Sequence, residues 1–253
     1  GLGIESKPPK YSWRGKELNA GWITTFNKHA VISENRCTKI PKDTNPELAS
    51  LFGCAVTTGF GVVENNAKVK IGESIVVFGA GGIGLNIIQA SSLSSAWPII
   101  AVDLYDSRLE LAKKFGATHI INSEKTNAKE EIQKIMGSKK LDIFIDNTGL
   151  PKIIELGYQI LDPIGRLILV GVPRKNKNIN IFSLPLHFGK VIMGSHGGES
   201  KPEIDIPRYL NLFNNGLWSI DGLISKRYNL EDINLAIADM KNGNSAGRIL
   251  INL

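Results

Sequence analysis

Three glycines and one aspartate have the spacing of a turn that binds a dinucleotide. Gly79, Gly81 and Gly84 follow the apolar run 74–78, and Asp103 ends the next apolar run, 19 residues after Gly84. Gly79 would allow a tight strand-to-helix turn, Gly81 would let backbone N–H groups approach a pyrophosphate, and Gly84 would let helix and strand pack closely. Asp103 would accept hydrogen bonds from the adenosine ribose. The pattern therefore predicts a site for NAD.

The context of these residues decides between a nucleotide site and an ordinary glycine turn. A buried strand precedes the glycines, an amphipathic helix follows them, and the acid lies at the end of the next strand, as the dinucleotide fingerprint requires. A carboxylate at Asp103 would repel the 2′-phosphate of NADP, which favours NAD. Arg108 leaves the alternative open, because a nearby arginine is also how a 2′-phosphate is accepted.

Composition excludes several classes of protein. With 253 residues, 42% hydrophobic and 21% charged, the chain suits a globular protein of one large domain, or one domain with a smaller partner.

No apolar run reaches the roughly 18 residues of a membrane span, and residues 1–10 lack the core of a signal peptide, so we expect a cytoplasmic protein. The net charge of +6 comes from dispersed lysines without stacking aromatics, which argues against nucleic-acid binding. Cys37 and Cys54 are too few for a disulfide framework.

Strand and helix patterns alternate from residue 74 onward. This order predicts an α/β fold, a doubly wound parallel sheet covered by helices on both faces. Before it, only 29–33 has a short strand signal. The predicted strands are 74–78, 99–102, 118–121, 142–146, 166–170, 190–194 and 248–252, and the predicted helices are 82–93, 107–115, 129–136, 152–161, 207–215 and 230–241.

Short motifs along nearly the whole chain resemble those of the zinc-containing medium-chain alcohol dehydrogenases. Beside the glycine fingerprint they are RGK at 14–16, TFNKHAV at 25–31, GCAVTTGFG at 53–61, GAT at 116–118, GVP at 171–173 and GRI at 247–249. Each motif alone is only modestly specific. Their order and spacing together make a chance match improbable.

The resemblance implies a Rossmann sheet of strand order 3-2-1-4-5-6, with a partial second catalytic domain from both chain ends. Residues 1–55 would be the remnant of a GroES-like catalytic domain, 56–196 the NAD-binding domain, and 197–253 the return to the catalytic domain. It also implies roles for individual residues. The cofactor-binding residues would be Gly79, Gly81, Gly82, Ile83, Gly84, Asp103, Arg108, Thr148, Val172 and Arg248.

Two further residues would belong to the catalytic centre. Cys54 matches one protein ligand of the family's catalytic zinc, and Thr58 matches a position beside the nicotinamide. Without the motif, Cys54 would be interpreted as a small buried hydrophobe. Arg248, likewise, could be an exposed strand arginine. Thr58 and Ile83 could serve packing alone.

The sequence departs from the family at the metal site. It contains neither a His-Glu pair nor a CxxC motif, and it does not begin with methionine. In the family, zinc is a Lewis acid that lowers the pKa of a bound alcohol, and one thiolate cannot complete its three-ligand cage. We therefore expect an N-terminally truncated, inactive fragment of an NAD-dependent alcohol dehydrogenase, with zinc only in the full-length protein. Of the four histidines, only His196 could approach the cofactor.

Several alternatives stay open at this stage. A zinc-free quinone-type reductase would need no metal ligands, and a non-catalytic dinucleotide-binding protein would need no chemistry at all. The substrate class extends over simple alcohols, polyols, cyclitols and formaldehyde adducts, with the aldehyde or ketone as product. The strand 190–194 would end the sheet, and an exposed apolar edge tends to be paired. By resemblance it pairs with its own copy, in a homodimer or a dimer of dimers.

Overall fold

The computed structural model describes residues 11–18, 25–30, 32–243 and 245–253. The first elements are an antiparallel hairpin, β1 (Tyr11–Trp13) and β2 (Lys16–Leu18), and two helices. Helix α1 spans Pro46–Phe52, and the Asn45 side chain caps it by accepting hydrogen bonds from two backbone N–H groups. Helix α2 spans Ala55–Gly61 and continues as a π-helix.

Strands and helices then alternate as the sequence predicts. They are β3 (Ile75–Phe78), α3 (Gly82–Leu93), β4 (Ile99–Asp103), α4 (Asp106–Lys114), β5 (His119–Asn122), α5 (Ala128–Met136), β6 (Ile143–Asp146), α6 (Pro151–Ile160), β7 (Arg166–Leu169) and β8 (Val191–Gly194). The last elements are α7 (Pro202–Asn214), β9 (Ile224–Asn229), α8 (Ile233–Lys241) and β10 (Arg248–Asn252).

The main sheet has six parallel strands in the spatial order β5-β4-β3-β6-β7-β8. Numbered within the sheet, this is 3-2-1-4-5-6, which confirms the predicted doubly wound Rossmann fold. The chain builds outward from β3 through β4 and β5, then returns to the other side of β3 at β6. Between β3 and β6 the crossovers diverge to opposite faces, which opens a crevice at the carboxyl ends of the strands.

The core consists of two layers, one on each face of the sheet. Alternate residues of β3 point to opposite faces, so that Ile75 and Val77 pack in one layer, and Val76 and Phe78 in the other. The first layer contains residues of α1, α2, α3, α4 and α7, and the second contains residues of α5 and α6. Burial on both faces explains why these strands are continuous apolar runs rather than alternating ones.

The fold differs from the sequence prediction in several places, beginning with the hairpin β1–β2 and the helices α1 and α2, which the sequence did not predict. The strand expected at 29–33 is wrong: residue 31 lies outside the described part, and residues 29, 30, 32 and 33 form no strand. Among the described residues, no strand pairs with this segment. Helix α7 begins at Pro202, five residues before the predicted start, and Pro207 lies inside it. The closing strand β10 pairs in parallel with β9, which the sequence did not predict.

Within the described residues, no single helix is long and apolar enough to cross a membrane. One bent pair, Pro46–Phe52 with Ala55–Ala67, meets the criteria of length and composition.

Candidate functional site

A cavity of about 1030 Å³ lies at the carboxyl ends of β3, β4, β6 and β7. This is the crevice where the strand order reverses, the usual ligand position in open α/β sheets. Every predicted cofactor-binding residue lines it: Gly79, Gly81, Gly82, Ile83, Gly84, Asp103, Arg108, Thr148, Val172 and Arg248. The lining also includes residues that sequence reasoning did not single out, among them Asn147.

The glycine turn has the geometry that a phosphate site requires. Gly79 has a φ of +97°, which favours glycine, and a Cβ on Gly84 would overlap the carbonyl oxygen of Gly79. Apart from its neighbours along the chain, a Cβ on Gly81 would have no protein atom within 4 Å, and it would occupy open space beside the cavity. The first N–H groups of α3 have no partner within the helix. The turn therefore presents free backbone donors to a region that an anionic group can enter.

Asp103 connects the glycine turn to β4. Its Oδ2 accepts a hydrogen bond from the Ala80 N–H at 2.7 Å, and its Oδ1 accepts bonds from the N–H groups of Leu104 and Tyr105. The guanidinium of Arg108 lies 3.6 Å from Oδ1 and stacks over the Tyr105 ring. A carboxylate has about four lone-pair positions, so Oδ2 keeps capacity to accept a further hydrogen bond from a ligand hydroxyl.

Arg248 reaches the glycine turn from a distant part of the chain. It begins β10, yet its guanidinium and Cδ lie so close to Gly82 that a Cβ there would overlap them. Its Nε is buried without a hydrogen-bond partner in the described structure. Arg248 is therefore not the exposed strand arginine of the alternative interpretation. Its position gives the turn a cation that can neutralise an anion.

A second turn, after β6, forms the opposite wall of the crevice. The buried Asp146 carboxylate accepts hydrogen bonds from the N–H and the hydroxyl of Thr148, at 2.9 and 2.6 Å, and from the Gly149 N–H at 2.9 Å. Burial raises the pKa of Asp146, although these hydrogen bonds oppose the shift. The Thr148 hydroxyl also accepts a bond from the Leu150 N–H. Asp146 thus shapes a wall of the cavity without lining it.

The proposed catalytic residues lie elsewhere. Cys54 immediately precedes α2, is exposed, and has its Sγ 4.0 Å from the hydroxyl of the buried Thr58. Neither residue lines the cavity. Thr58 lies near the glycine loop 194–198, because a Cβ on Gly198 would be 2.6 Å from the Thr58 carbonyl oxygen. His196, in the same loop, is also absent from the lining.

The zinc expected from the resemblance does not fit the described residues. Within that part of the chain, no group of three or more His, Cys, Asp or Glu side chains could hold a metal ion. Cys54 is exposed rather than buried, so it is also not the small core residue of the alternative interpretation. Its role as a ligand stays a prediction.

Two residues of the second turn were missed by sequence reasoning. Asp146 carries the same signal as Asp103, an acid that ends a buried apolar strand, and could have been found by it. Asn147 carries no such signal. Whether its amide is free to bind a ligand depends on the hydrogen bonds of the neighbouring residues, which the sequence does not show.

Comparison with known proteins decides the family. Residues 82–215, more than half of the chain, match the family model of zinc-binding dehydrogenases. The chain belongs to the zinc-binding dehydrogenase family. The resemblance to zinc-containing medium-chain alcohol dehydrogenases is thereby confirmed.

Individual zinc-binding dehydrogenases are similar over most of this chain. The S-(hydroxymethyl)glutathione dehydrogenase of Paracoccus denitrificans is 33% identical over 237 residues, which are 90% of this chain and 63% of that protein. The class-3 alcohol dehydrogenase of Cereibacter sphaeroides is also 33% identical, with the same coverage. The chain thus spans less than two thirds of the length of these relatives.

Two solved structures support the same assignment. The benzyl alcohol dehydrogenase of Acinetobacter calcoaceticus superposes with a TM-score of 0.81 at 35% identity, over 88% of this chain and 62% of that one. An alcohol dehydrogenase zinc-binding domain protein from Burkholderia ambifaria gives a TM-score of 0.79 at 36% identity, over 85% and 58%.

Proposed function

We propose that this chain supplies the dinucleotide-binding part of an NAD-dependent alcohol dehydrogenase, which transfers a hydride between an alcohol or polyol and the nicotinamide. The observation that carries the proposal is that all the predicted cofactor-binding residues, from β3 to β10, line a single cavity at the switch point of the sheet. The relatives named as alcohol and S-(hydroxymethyl)glutathione dehydrogenases support the reaction class.

Each part of the cavity has a task in holding the cofactor. The N–H groups at the start of α3 and the Arg248 guanidinium would bind the pyrophosphate, since both present positive charge to the open space at Gly81. Asp103 would accept the adenosine ribose hydroxyls. Arg108 would brace that carboxylate from the side. When bound, NAD supplies the hydride acceptor.

The nicotinamide half would lie beyond the glycine turn, toward β6 and β7. There Thr148 and the 89% exposed Val172 line the cavity, and the Val172 carbonyl oxygen would be 2.6 Å from a Cβ on Gly149. The loops after β6 and β7 therefore lie against each other and form one continuous wall. An apolar side chain at Val172 would shield a face of the ring from water, which favours hydride transfer over side reactions.

We further propose the domain limits and assembly that follow from the family. Residues 56–196 would be the NAD-binding domain, with 1–55 and 197–253 belonging to the second domain. Strand β8 forms the outer edge of the six-stranded sheet, and Val191 and Gly194 are exposed on it. Pairing of this edge with a second copy would give a twofold homodimer.

Cys54 is proposed as one zinc ligand in a longer form of the protein, since the described residues do not provide the others. The zinc content of this 253-residue chain and of such a longer form, measured by mass spectrometry, tests this. We expect zinc only in the longer form, and its loss in Cys54→Ser. Zinc bound stoichiometrically by the 253-residue chain would contradict the ligand count.

The cofactor assignment is tested by titrating NADH and NADPH against the parent and Asp103→Ala. We expect the parent to prefer NADH, and the variant to bind NADH about tenfold more weakly with little preference left, because the ribose acceptor and the repulsive charge are both removed. Asp106→Ala is the matched control, because Asp106 is exposed, lies near Asp103 in sequence and pairs with Lys125 outside the cavity. Equal affinity for both cofactors in the parent, with no loss in Asp103→Ala, would refute the assignment.

A further inference from the structure

Asn147 lies between the glycine turn and the turn after β6. It lines the cavity directly after Asp146, the last residue of β6. Its Cβ would be 3.1 Å from a Cβ on Gly79, and its Nδ2 would be 3.4 Å from a Cβ on Gly84. The side chain is therefore held against both turn glycines, at the point where a bound dinucleotide crosses from one half of the sheet to the other.

The amide of Asn147 is buried and has no partner. Both Nδ2 and Oδ1 lack a hydrogen-bond partner within the described structure, and neither atom is accessible to solvent. A buried amide without a partner is unfavourable in a folded protein. The surrounding turn does not need it, because Asp146 accepts the bonds from Thr148 and Gly149, and the Thr148 hydroxyl is itself engaged. The free hydrogen-bonding capacity of this wall is therefore concentrated in Asn147.

The position of Asn147 indicates which part of the ligand it meets. Asp103 ends β4, on one side of β3, and Asn147 follows β6, on the other side. If Asp103 binds the adenosine ribose, Asn147 faces the opposite, nicotinamide half of the cofactor. A side-chain amide both donates and accepts hydrogen bonds. A pyrophosphate only accepts them, whereas a pair of ribose hydroxyls does both and matches the amide.

We propose that Asn147 binds the hydroxyl groups of the nicotinamide-side ribose once its amide, which has no hydrogen bond to lose, turns toward the cavity that the residue lines; Oδ1 would then accept from one hydroxyl and Nδ2 donate to the other. This inference rests on the proposed function and adds a contact that the glycine fingerprint does not contain. Thr148, the residue that the sequence singled out, would then contribute to the wall mainly by its shape, because its hydroxyl is used inside the turn.

The test compares the cofactor with smaller fragments of it and measures the binding of each by calorimetry. AMP and ADP lack the second ribose, whereas ADP-ribose and NADH contain it. In Asn147→Leu, which keeps the branching at Cγ and removes both polar atoms, we expect the Kd of ADP-ribose and NADH to rise about tenfold. The Kd of AMP and ADP should stay within twofold of the parent value.

Unfolding of the free protein provides an independent measurement. Because the amide has no partner to lose, the urea midpoint of Asn147→Leu should not fall below that of the parent. Thr118→Val is the matched control: it removes a hydroxyl that accepts from the Ile99 N–H outside the cavity, so it should lower the midpoint without distinguishing ADP from ADP-ribose.

Three outcomes would overturn the inference. If Asn147→Leu binds ADP-ribose as the parent does, the ribose contact is absent while the proposed function stands. If the variant loses affinity for AMP and ADP-ribose equally and unfolds earlier, Asn147 has a structural role. If the parent binds none of the four ligands, the proposed function fails and the inference fails with it.

Discussion

Replacement of Asp146 by alanine tests whether one buried carboxylate holds the second wall of the cavity. The side chain is 0% exposed and accepts three hydrogen bonds, two from Thr148 and one from the Gly149 N–H. Asp146→Ala removes all three acceptors and leaves the buried Gly149 N–H without a partner. Thr148 is only half-buried, so that its two donors can find water.

The expected loss follows from these contacts. An unpartnered buried N–H costs about 1–3 kcal/mol, and each Thr148 bond contributes about 1 kcal/mol net. The cost of burying the carboxylate, which the raised pKa of Asp146 reflects, is removed at the same time and offsets part of the loss. We therefore expect the free energy of unfolding to fall by about 2–4 kcal/mol.

The assay is urea unfolding followed by tryptophan fluorescence and circular dichroism. Asp146→Asn should fall between the parent and Asp146→Ala, because its carbonyl oxygen still accepts from Thr148. Asp221→Ala, at an exposed position, should stay within about 0.5 kcal/mol of the parent. A loss below about 1 kcal/mol in Asp146→Ala would show that the turn is held by other contacts.

Three further predictions concern the turn, its titration and the sheet edge. Gly84→Ala should destabilise the fold by about 1–3 kcal/mol, because its Cβ would overlap a backbone carbonyl, whereas Gly81→Ala should leave urea unfolding unchanged and weaken NADH binding only; equal stability of the two variants would contradict this. Burial raises the pKa of Asp146, so the folded state keeps a proton that the unfolded state releases; the free energy of unfolding of the parent relative to Asp146→Asn should therefore fall as the pH rises above about 4, and a rise would contradict it. Light scattering at micromolar concentration should show a dimer for the parent and for Ile71→Lys, at an 86% exposed site outside the sheet, but a monomer for Ile192→Lys on the edge strand; a monomeric parent would refute edge pairing.

Local patterns were sufficient for the main sheet. The helix at 82–93 and the strand at 248–252 have the predicted bounds. All six predicted strands of the main sheet agree with the observed bounds within one residue at each end. These elements are buried on both faces or amphipathic, so their periodicity is visible in the sequence itself. The signal failed at 29–33, where no strand among the described residues pairs with the segment.

The sequence by itself determined the dinucleotide turn, because each of its requirements is local: a positive φ at Gly79, open space at Gly81 and close packing at Gly84. It also determined the position of Asp103, because the alternation of strands and helices places this residue at the end of a buried strand. These properties depend on residue type and on near neighbours along the chain.

Only the tertiary structure decided which other side chains meet that turn. It placed Arg248 over Gly82, left Cys54 and Thr58 outside the cavity, and engaged the Thr148 hydroxyl while leaving the Asn147 amide free. The physical reason is that a polar group acts on a ligand only with the hydrogen bonds that its neighbours leave unused. Those neighbours come from separate strands, β3, β6 and β10, whose approach is fixed by packing of the whole sheet and its helices.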